Sequence, residues 1–156
     1  MIQVYTGDGK GKTTAGFGLV LRAIGAGKRV YVVQFGKTTP SSEGRFLLEH
    51  GFCTVEAFWG KGFLMPGDDP TPFREAVQRG IQRIHEILDE HPDLLLIDEG
   101  CIALSMNLMP HSDMEKIIEA AGNTELVITG RGAPDWLKEN ADLVTTTTPD
   151  RTPERA

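Results

Sequence analysis

Thr6-Gly7-Asp8-Gly9-Lys10-Gly11-Lys12-Thr13-Thr14 gathers three glycines and two lysines ahead of a Thr-Thr pair. These types suit a polyanion. Glycines allow a tight turn that aims several backbone N–H groups inward. A helix opening in the Gly-Lys-Thr run adds unpaired donors and partial positive charge. Lys12 is placed to reach terminal phosphates, and the Thr13 hydroxyl to bind Mg²⁺. The general phosphate-loop pattern starts with glycine where this chain has Thr6, so the loop is a variant of that pattern.

A second group is acidic. Leu94-Leu95-Leu96-Ile97-Asp98-Glu99 is an apolar run ending in two carboxylates. An acid at such a strand end lies beside a phosphate loop and holds Mg²⁺, directly or through water. Asp98 and Glu99 therefore join Thr13 as expected metal-site residues. Two cations follow other apolar runs: Lys37 in Gln34-Phe35-Gly36-Lys37 and Arg131 in Thr129-Gly130-Arg131-Gly132. Arg131 can clamp a phosphate with two parallel hydrogen bonds, and Lys37 can meet an anion. The segment from Trp59 to Gly67 carries large apolar side chains between Gly and Pro. It suits a lid or a flat ligand, or it folds back onto the core. His50, His85, His91 and His111 show no metal-ligand spacing, so no zinc site is expected. Ser41, Ser42 and Ser105 lack the setting of a nucleophile.

These groups need elements to carry them. Six short apolar runs read as buried strands: 2–5, 30–34, 54–58, 94–97, 126–129 and 143–146. Helical patterns lie between them. One runs from Thr13 to about Ile24. The longest, Pro72–Glu90, places Phe73, Val77, Ile81, Ile84 and Leu88 on one stripe, with Pro72 in its first turn. Ser112-Asp113-Met114-Glu115 matches a capping box opening a further helix. A last short helix is expected over 134–140. Strand and helix in alternation predict an open, doubly wound, mainly parallel α/β sheet with helices on both faces.

The chain has 156 residues, enough for one domain. We expect it over 1–145, with a loose tail over 146–156 that is poor in apolar residues. Sixteen Lys and Arg against 22 Asp and Glu give a net charge of −6, which argues against a nucleic-acid partner. No apolar run approaches the roughly 20 residues that span a bilayer, so no membrane is expected. The chain shows no signal-peptide pattern. Cys53 and Cys101 stand alone and are expected to be reduced thiols of a cytoplasmic protein.

Taken in order, TGDGKGKTTA, VVQF-x-K, the Gly-Phe loop, LLLIDE, VITGRGAP and ADLVT resemble the ATP:corrinoid adenosyltransferases of cobalamin salvage and synthesis. Thr6 at the loop's first position is part of that family's pattern. The resemblance implies a six-stranded sheet of the P-loop NTPase type and a homodimer. It implies transfer of the 5′-deoxyadenosyl group of MgATP to the Co(I) of cob(I)alamin or a corrinoid precursor, releasing triphosphate. An electron-donating reductase would supply the Co(I) state. By the same carry-over, ATP would be bound by Thr6, Gly7, Asp8, Gly9, Lys10, Gly11, Lys12, Thr13 and Thr14, with Lys37 and Arg131. Mg²⁺ would be held by Thr13, Asp98 and Glu99. Lys12, Glu99 and Phe63 would be the catalytic set, Phe63 helping to strip the lower axial ligand from cobalt. Two stretches differ from the family. Gly62-Phe63-Leu64-Met65 stands where Gly-Phe-Thr-Trp is usual, and Thr146-Thr147-Thr148-Pro149 replaces a Glu-Met-x-x-x-Lys-His continuation. Two other readings share the loop: a small P-loop kinase or NTPase, and a non-catalytic relative that binds nucleotide or corrinoid. A kinase of this fold needs an Arg-rich lid, whereas Arg74, Arg79 and Arg83 fall on one helix as a solvated face.

Overall fold

Leu94, Leu95, Leu96 and Ile97 are each no more than 2% exposed. A strand reaches that state only when both of its faces are covered. The computed structural model, which describes residues 1–152, places this run at the heart of the sheet. The strands are β1 (Ile2–Thr6), β2 (Val30–Gln34), β3 (Thr54–Ala57), β4 (Leu94–Asp98), β5 (Glu125–Thr129) and β6 (Leu143–Thr146). All their pairings are parallel, in the order β3-β2-β4-β5-β1-β6.

The helices are α1 (Lys12–Gly25), α2 (Ser42–Glu49), α3 (Thr71–Asp89), α4 (Gly100–Ser105), α5 (His111–Ala120) and α6 (Asp135–Asn140). They divide over the two faces. Phe17, Val20 and Ala23 of α1 and Leu47 of α2 pack with Val32, Val55, Leu94, Leu96 and Val127. On the other face Phe73, Val77, Ile81 and Ile84 of α3, Met114 and Ile117 of α5 and Leu137 of α6 meet Val33, Leu95, Ile97, Leu126 and Ile128. Neighbouring strand residues thus go to opposite layers, as a pleated strand requires. The doubly wound expectation holds.

Two helices, α2 and α4, were not expected. The capping box does not form. α5 starts at His111 with Pro110 as its N-cap and no side-chain cap bond, so Ser112 already lies inside the first turn. Thr146 closes β6, and Thr147 continues the pairing through its N–H to the Thr6 carbonyl. Of the tail expected over 146–156, residues 153–156 lie outside the described residues. No helix among the described residues is long and apolar enough to cross a membrane.

Candidate functional site

Parallel strands all end on one edge of a sheet, so the loops after β1, β2, β4 and β5 meet there. β1 stops at Thr6, the loop crosses Gly7–Gly11, and α1 begins at Lys12. Gly11 is the N-cap with φ 102°, a left-handed conformation that glycine adopts without strain. No side chain caps α1. The N–H groups of its first turn therefore face the loop's hollow as anion donors. Lys12 is only 8% exposed, and its Nζ donates to the Gly9 carbonyl.

Asp98, fully buried at the end of β4, is the anchor of the site. Its Oδ1 accepts from the hydroxyls of Thr13 at 2.8 Å and Thr129 at 2.7 Å. Its Oδ2 accepts from Gln34 Nε2 at 2.7 Å and Lys37 Nζ at 3.0 Å. A buried carboxylate is tolerated when donors surround it, and here an ammonium is among them. One side chain thereby ties the first turn of α1 to the ends of β2 and β5 and to Lys37. Gln34 extends the network: its Oε1 accepts the Ser41 N–H at 2.9 Å and its Nε2 donates to Ser41 Oγ at 3.1 Å. That pair holds both ends of the segment carrying Lys37.

Glu99 is the carboxylate that reaches the cavity. Its backbone is left-handed, φ 58°, which is unusual for a residue with a side chain. Its N–H donates to Thr129 Oγ1 at 3.0 Å, so the turn is held by the same threonine that serves Asp98. Glycines flank its side chain: a Cβ on Gly130 would lie 3.1 Å from Glu99 Oε2. Burial raises the Glu99 pKa above its ordinary value and the Asp98 charge adds to this, while Lys37, Lys12 and Arg131 oppose it.

A cavity of about 900 Å³ opens over these groups. Gly9, Lys10, Gly11, Lys12, Thr13, Thr14, Lys37, Glu99 and Arg131 form its polar part. Trp59, Phe63, Leu64, Met65, Ile102 and Met106 form its apolar part. Most of the expected site residues thus border one space. Four do not line it. Asp98 lies beneath it and Asp8 points to solvent. Gly7 is pressed against Thr147, where a Cβ would fall 2.3 Å from the Thr147 carbonyl oxygen. Thr6 is buried, and its Oγ1 accepts the Ala133 N–H at 3.2 Å, bracing the turn that carries Arg131. The segment after β3 folds back onto the core in part. Trp59 packs edge-on to Phe73 at 5.5 Å, and Leu64 lies against the core. Phe63 and Met65 project outward, 91% and 61% exposed. Arg83 pairs with Glu56 at 2.7 Å and does not border the cavity.

Sequence reasoning passed over Gln34 and Thr129 as carboxylate partners, Ile102 and Met106 as cavity walls, and Thr147. The signal for Gln34 was its polarity at the end of a buried strand, where an amide needs partners.

Comparison with known proteins places the chain. A family model described as "ATP:corrinoid adenosyltransferase BtuR/CobO/CobP" matches residues 1–155. A corrinoid adenosyltransferase of a Sinorhizobium species is 36% identical over 150 residues, 93% of this chain and 70% of that protein. The corrinoid adenosyltransferase of Escherichia coli K12 is 36% identical over 151 residues, 92% of this chain and 74% of its own. Corrinoid adenosyltransferase CobA of Salmonella typhimurium LT2 is 35% identical over 152 residues, with 92% and 74% covered.

Proposed function

The chain belongs to the ATP:corrinoid adenosyltransferase family, and from that premise we propose that it transfers the 5′-deoxyadenosyl group of ATP to the Co(I) of a reduced corrinoid. In this step the cobalt electron pair forms a bond to C5′. The C5′–O bond breaks, its electron pair leaves on triphosphate, and cobalt becomes formally Co(III).

The observation that carries the reading is the two-sided cavity. Its polar wall, from the loop to Lys37 and Arg131, suits a triphosphate. Its apolar wall, from Trp59 to Met65 with Ile102 and Met106, suits the flat face of a macrocycle. The loop amides and Lys12 would grip the triphosphate, and Arg131 and Lys37 would add charge at its rim. Phe63 would press on the corrinoid where the lower axial ligand must depart. Co(I) is already a strong nucleophile, so the protein's tasks are to align two substrates and to stabilise the leaving charge.

The residues present fit Mg²⁺, which is commonly held by one or two carboxylates with substrate phosphates and water. Glu99 faces the cavity and the Thr13 hydroxyl borders it, with Asp98 orienting that hydroxyl from beneath. Thr13 and Glu99 would hold the ion, and Asp98 would act through Thr13. When bound, it supplies positive charge to the departing triphosphate. We place the reaction in the cytoplasm, with an electron-donating reductase as the source of Co(I) and a second copy of the chain as the partner in a homodimer.

The test mixes the protein anaerobically with MgATP and chemically reduced corrinoid. A light-sensitive alkylcorrinoid spectrum together with triphosphate supports the reading. ADP or free phosphate in its place would assign a kinase or NTPase, and nucleotide binding without product a non-catalytic relative.

A further inference from the structure

Thr147 lies just past β6 and is bonded to the phosphate loop from behind. Its N–H donates to the Thr6 carbonyl at 2.8 Å, and its own carbonyl accepts the Gly9 N–H at 2.9 Å. Its hydroxyl lies 3.1 Å from both the Thr6 and the Gly9 carbonyl oxygens. A Cβ on Gly9 would fall 2.9 Å from the Thr147 carbonyl carbon, so loop and segment are in close contact. The Gly9 N–H is thus committed to Thr147 rather than to the cavity.

The Gly9 carbonyl is shared between two donors. Lys12 Nζ donates to it from one side, and the Thr147 hydroxyl faces it from the other. Gly9 and Lys12 are both buried. Lys12 is also the cation that must turn toward a phosphate when one enters the cavity. Its departure strips the Gly9 carbonyl of a charged donor. An interior acceptor left without a partner shifts an equilibrium by about ten- to a hundredfold. Thr147 has one hydroxyl hydrogen and two carbonyls in reach. The Thr6 carbonyl keeps the Thr147 N–H in either case. The hydrogen is therefore free to serve Gly9 when Lys12 turns away.

We propose that Thr147 is a positioning residue for ATP: its hydroxyl satisfies the Gly9 carbonyl while Lys12 engages the triphosphate. The inference rests on the reading of the loop as an ATP site. It predicts a loss confined to nucleotide binding, because the corrinoid wall does not involve Thr147.

The test compares wild type, Thr147→Val and Thr147→Ser by calorimetric titration with MgATP and by steady-state turnover. Valine keeps the shape and both backbone bonds but removes the hydroxyl; Thr147→Ala repeats the comparison should valine fail to fold. We expect ATP affinity about tenfold weaker in the valine variant, with the KM for ATP raised to match. We expect kcat and the corrinoid KM within about twofold of wild type, and Thr147→Ser at wild-type affinity. Unchanged ATP affinity in Thr147→Val overturns the proposal, as does a serine variant as weak as the valine. Wild type that binds no MgATP overturns the loop reading and this inference with it.

Discussion

Replacing Asp98 by Asn tests the network on which the site depends. The carboxylate accepts from two hydroxyls on Oδ1 and from an amide and an ammonium on Oδ2. An asparagine of the same shape must put its NH₂ group on one side. The Oδ2 side is closed to it, since Gln34 Nε2 and Lys37 Nζ both donate there. Gln34 is held against flipping by the Ser41 N–H on its Oε1. The NH₂ group must therefore face Thr13 and Thr129, whose hydroxyls would turn to accept. Thr13 borders the cavity and can donate to water. Thr129 is fully buried, and its hydroxyl hydrogen loses the only acceptor it has among the described residues. Bonds to charged groups contribute about 1.5–3 kcal/mol and neutral ones about 0.5–1.5. Relief of the buried anion's desolvation offsets part of that loss. We expect a net destabilisation of about 2–4 kcal/mol, read from urea denaturation at neutral pH with an unchanged m value. The Asp98 charge also helps to raise the Glu99 pKa, so in the variant Glu99 should titrate at lower pH, as followed by carboxyl-carbon NMR. A loss below about 0.5 kcal/mol together with an unmoved Glu99 titration would refute the network as described.

Lys12→Ala should weaken ATP binding by about ten- to a hundredfold, the value of one charge-assisted contact; an unchanged calorimetric affinity would show that the loop does not bind phosphate. Glu99→Gln should lower kcat and raise the Mg²⁺ concentration needed for half-maximal rate, and identical kinetics across a Mg²⁺ titration would remove Glu99 from the metal site. The raised Glu99 pKa sets two opposed pH trends above its ordinary 4.5. In that window the native state holds a proton the unfolded chain has released, so this group's contribution to stability falls as pH rises through the native value. On the proposed role the proton and Mg²⁺ would compete for this carboxylate, so at subsaturating Mg²⁺ activity should rise across the same window and give the profile an acid limb. Lys37→Ala removes a charge that lowers this pKa, so the acid limb should move to higher pH; a limb that stays in place would disprove the coupling. Gly7→Ala combines φ 100° with a Cβ at 2.3 Å from backbone, and should cost more than about 2 kcal/mol of stability; a melting temperature equal to wild type would contradict the close contact with Thr147.

The sheet was legible because its strands are short apolar runs, although only β1, β2, β4 and β5 are mostly buried: at the two edges β3 is half-buried, and β6, expected to be buried, is exposed along its length because nothing among the described residues pairs beyond it. Their expected limits depart from the structure by at most one residue, as for β4, which takes in Asp98. α3 was legible for a related reason: Phe73, Val77, Ile81, Ile84 and Leu88 are all buried on one stripe. α2 leaves no such trace, since only Gly44 and Leu47 of its eight residues are buried. α4 is six residues long and starts at the turn where Glu99 is left-handed, so it is too short to show a helical stripe in the sequence. Missing α4 also hid Ile102 and Met106. Lys12, Thr13, Glu99, Lys37 and Arg131 could be named from sequence because each follows a strand end, and parallel strands bring their ends together. Gln34, Thr129 and Thr147 act through partners distant in sequence. Gln34 meets Asp98 because β2 and β4 pair in that register, and Thr147 meets Gly9 because β6 runs beside β1. Register is a property of the folded sheet, and a single sequence does not print it.

The composition of the cavity bears on how the proposed reaction would be run. Among the described residues that line it there is no His, Cys or Ser. Its ionisable side chains are Lys10, Lys12, Lys37, Arg131 and Glu99. Four cations against one carboxylate give a field that favours a polyanion and strengthens as charge gathers on it. A reaction that required a proton to be lifted from the nucleophile would need a base poised near neutrality. Glu99 is the one carboxylate that lines the cavity among the described residues, and in the proposed reaction it is taken up in holding the ion. A metal-centred nucleophile displacing triphosphate needs no such base. It needs an anion hole for the leaving group and an apolar seat that keeps the attacking face in line. Those are the two walls this chain builds, one from the loop after β1 and one from the segment after β3 with α4. Mutations should separate accordingly: changes to the first wall move ATP affinity, and changes at Phe63 or Met106 move corrinoid affinity and kcat while leaving ATP binding alone. A Phe63→Ala enzyme that lost ATP affinity to the same extent as Lys12→Ala would show that the walls do not divide the work in this way.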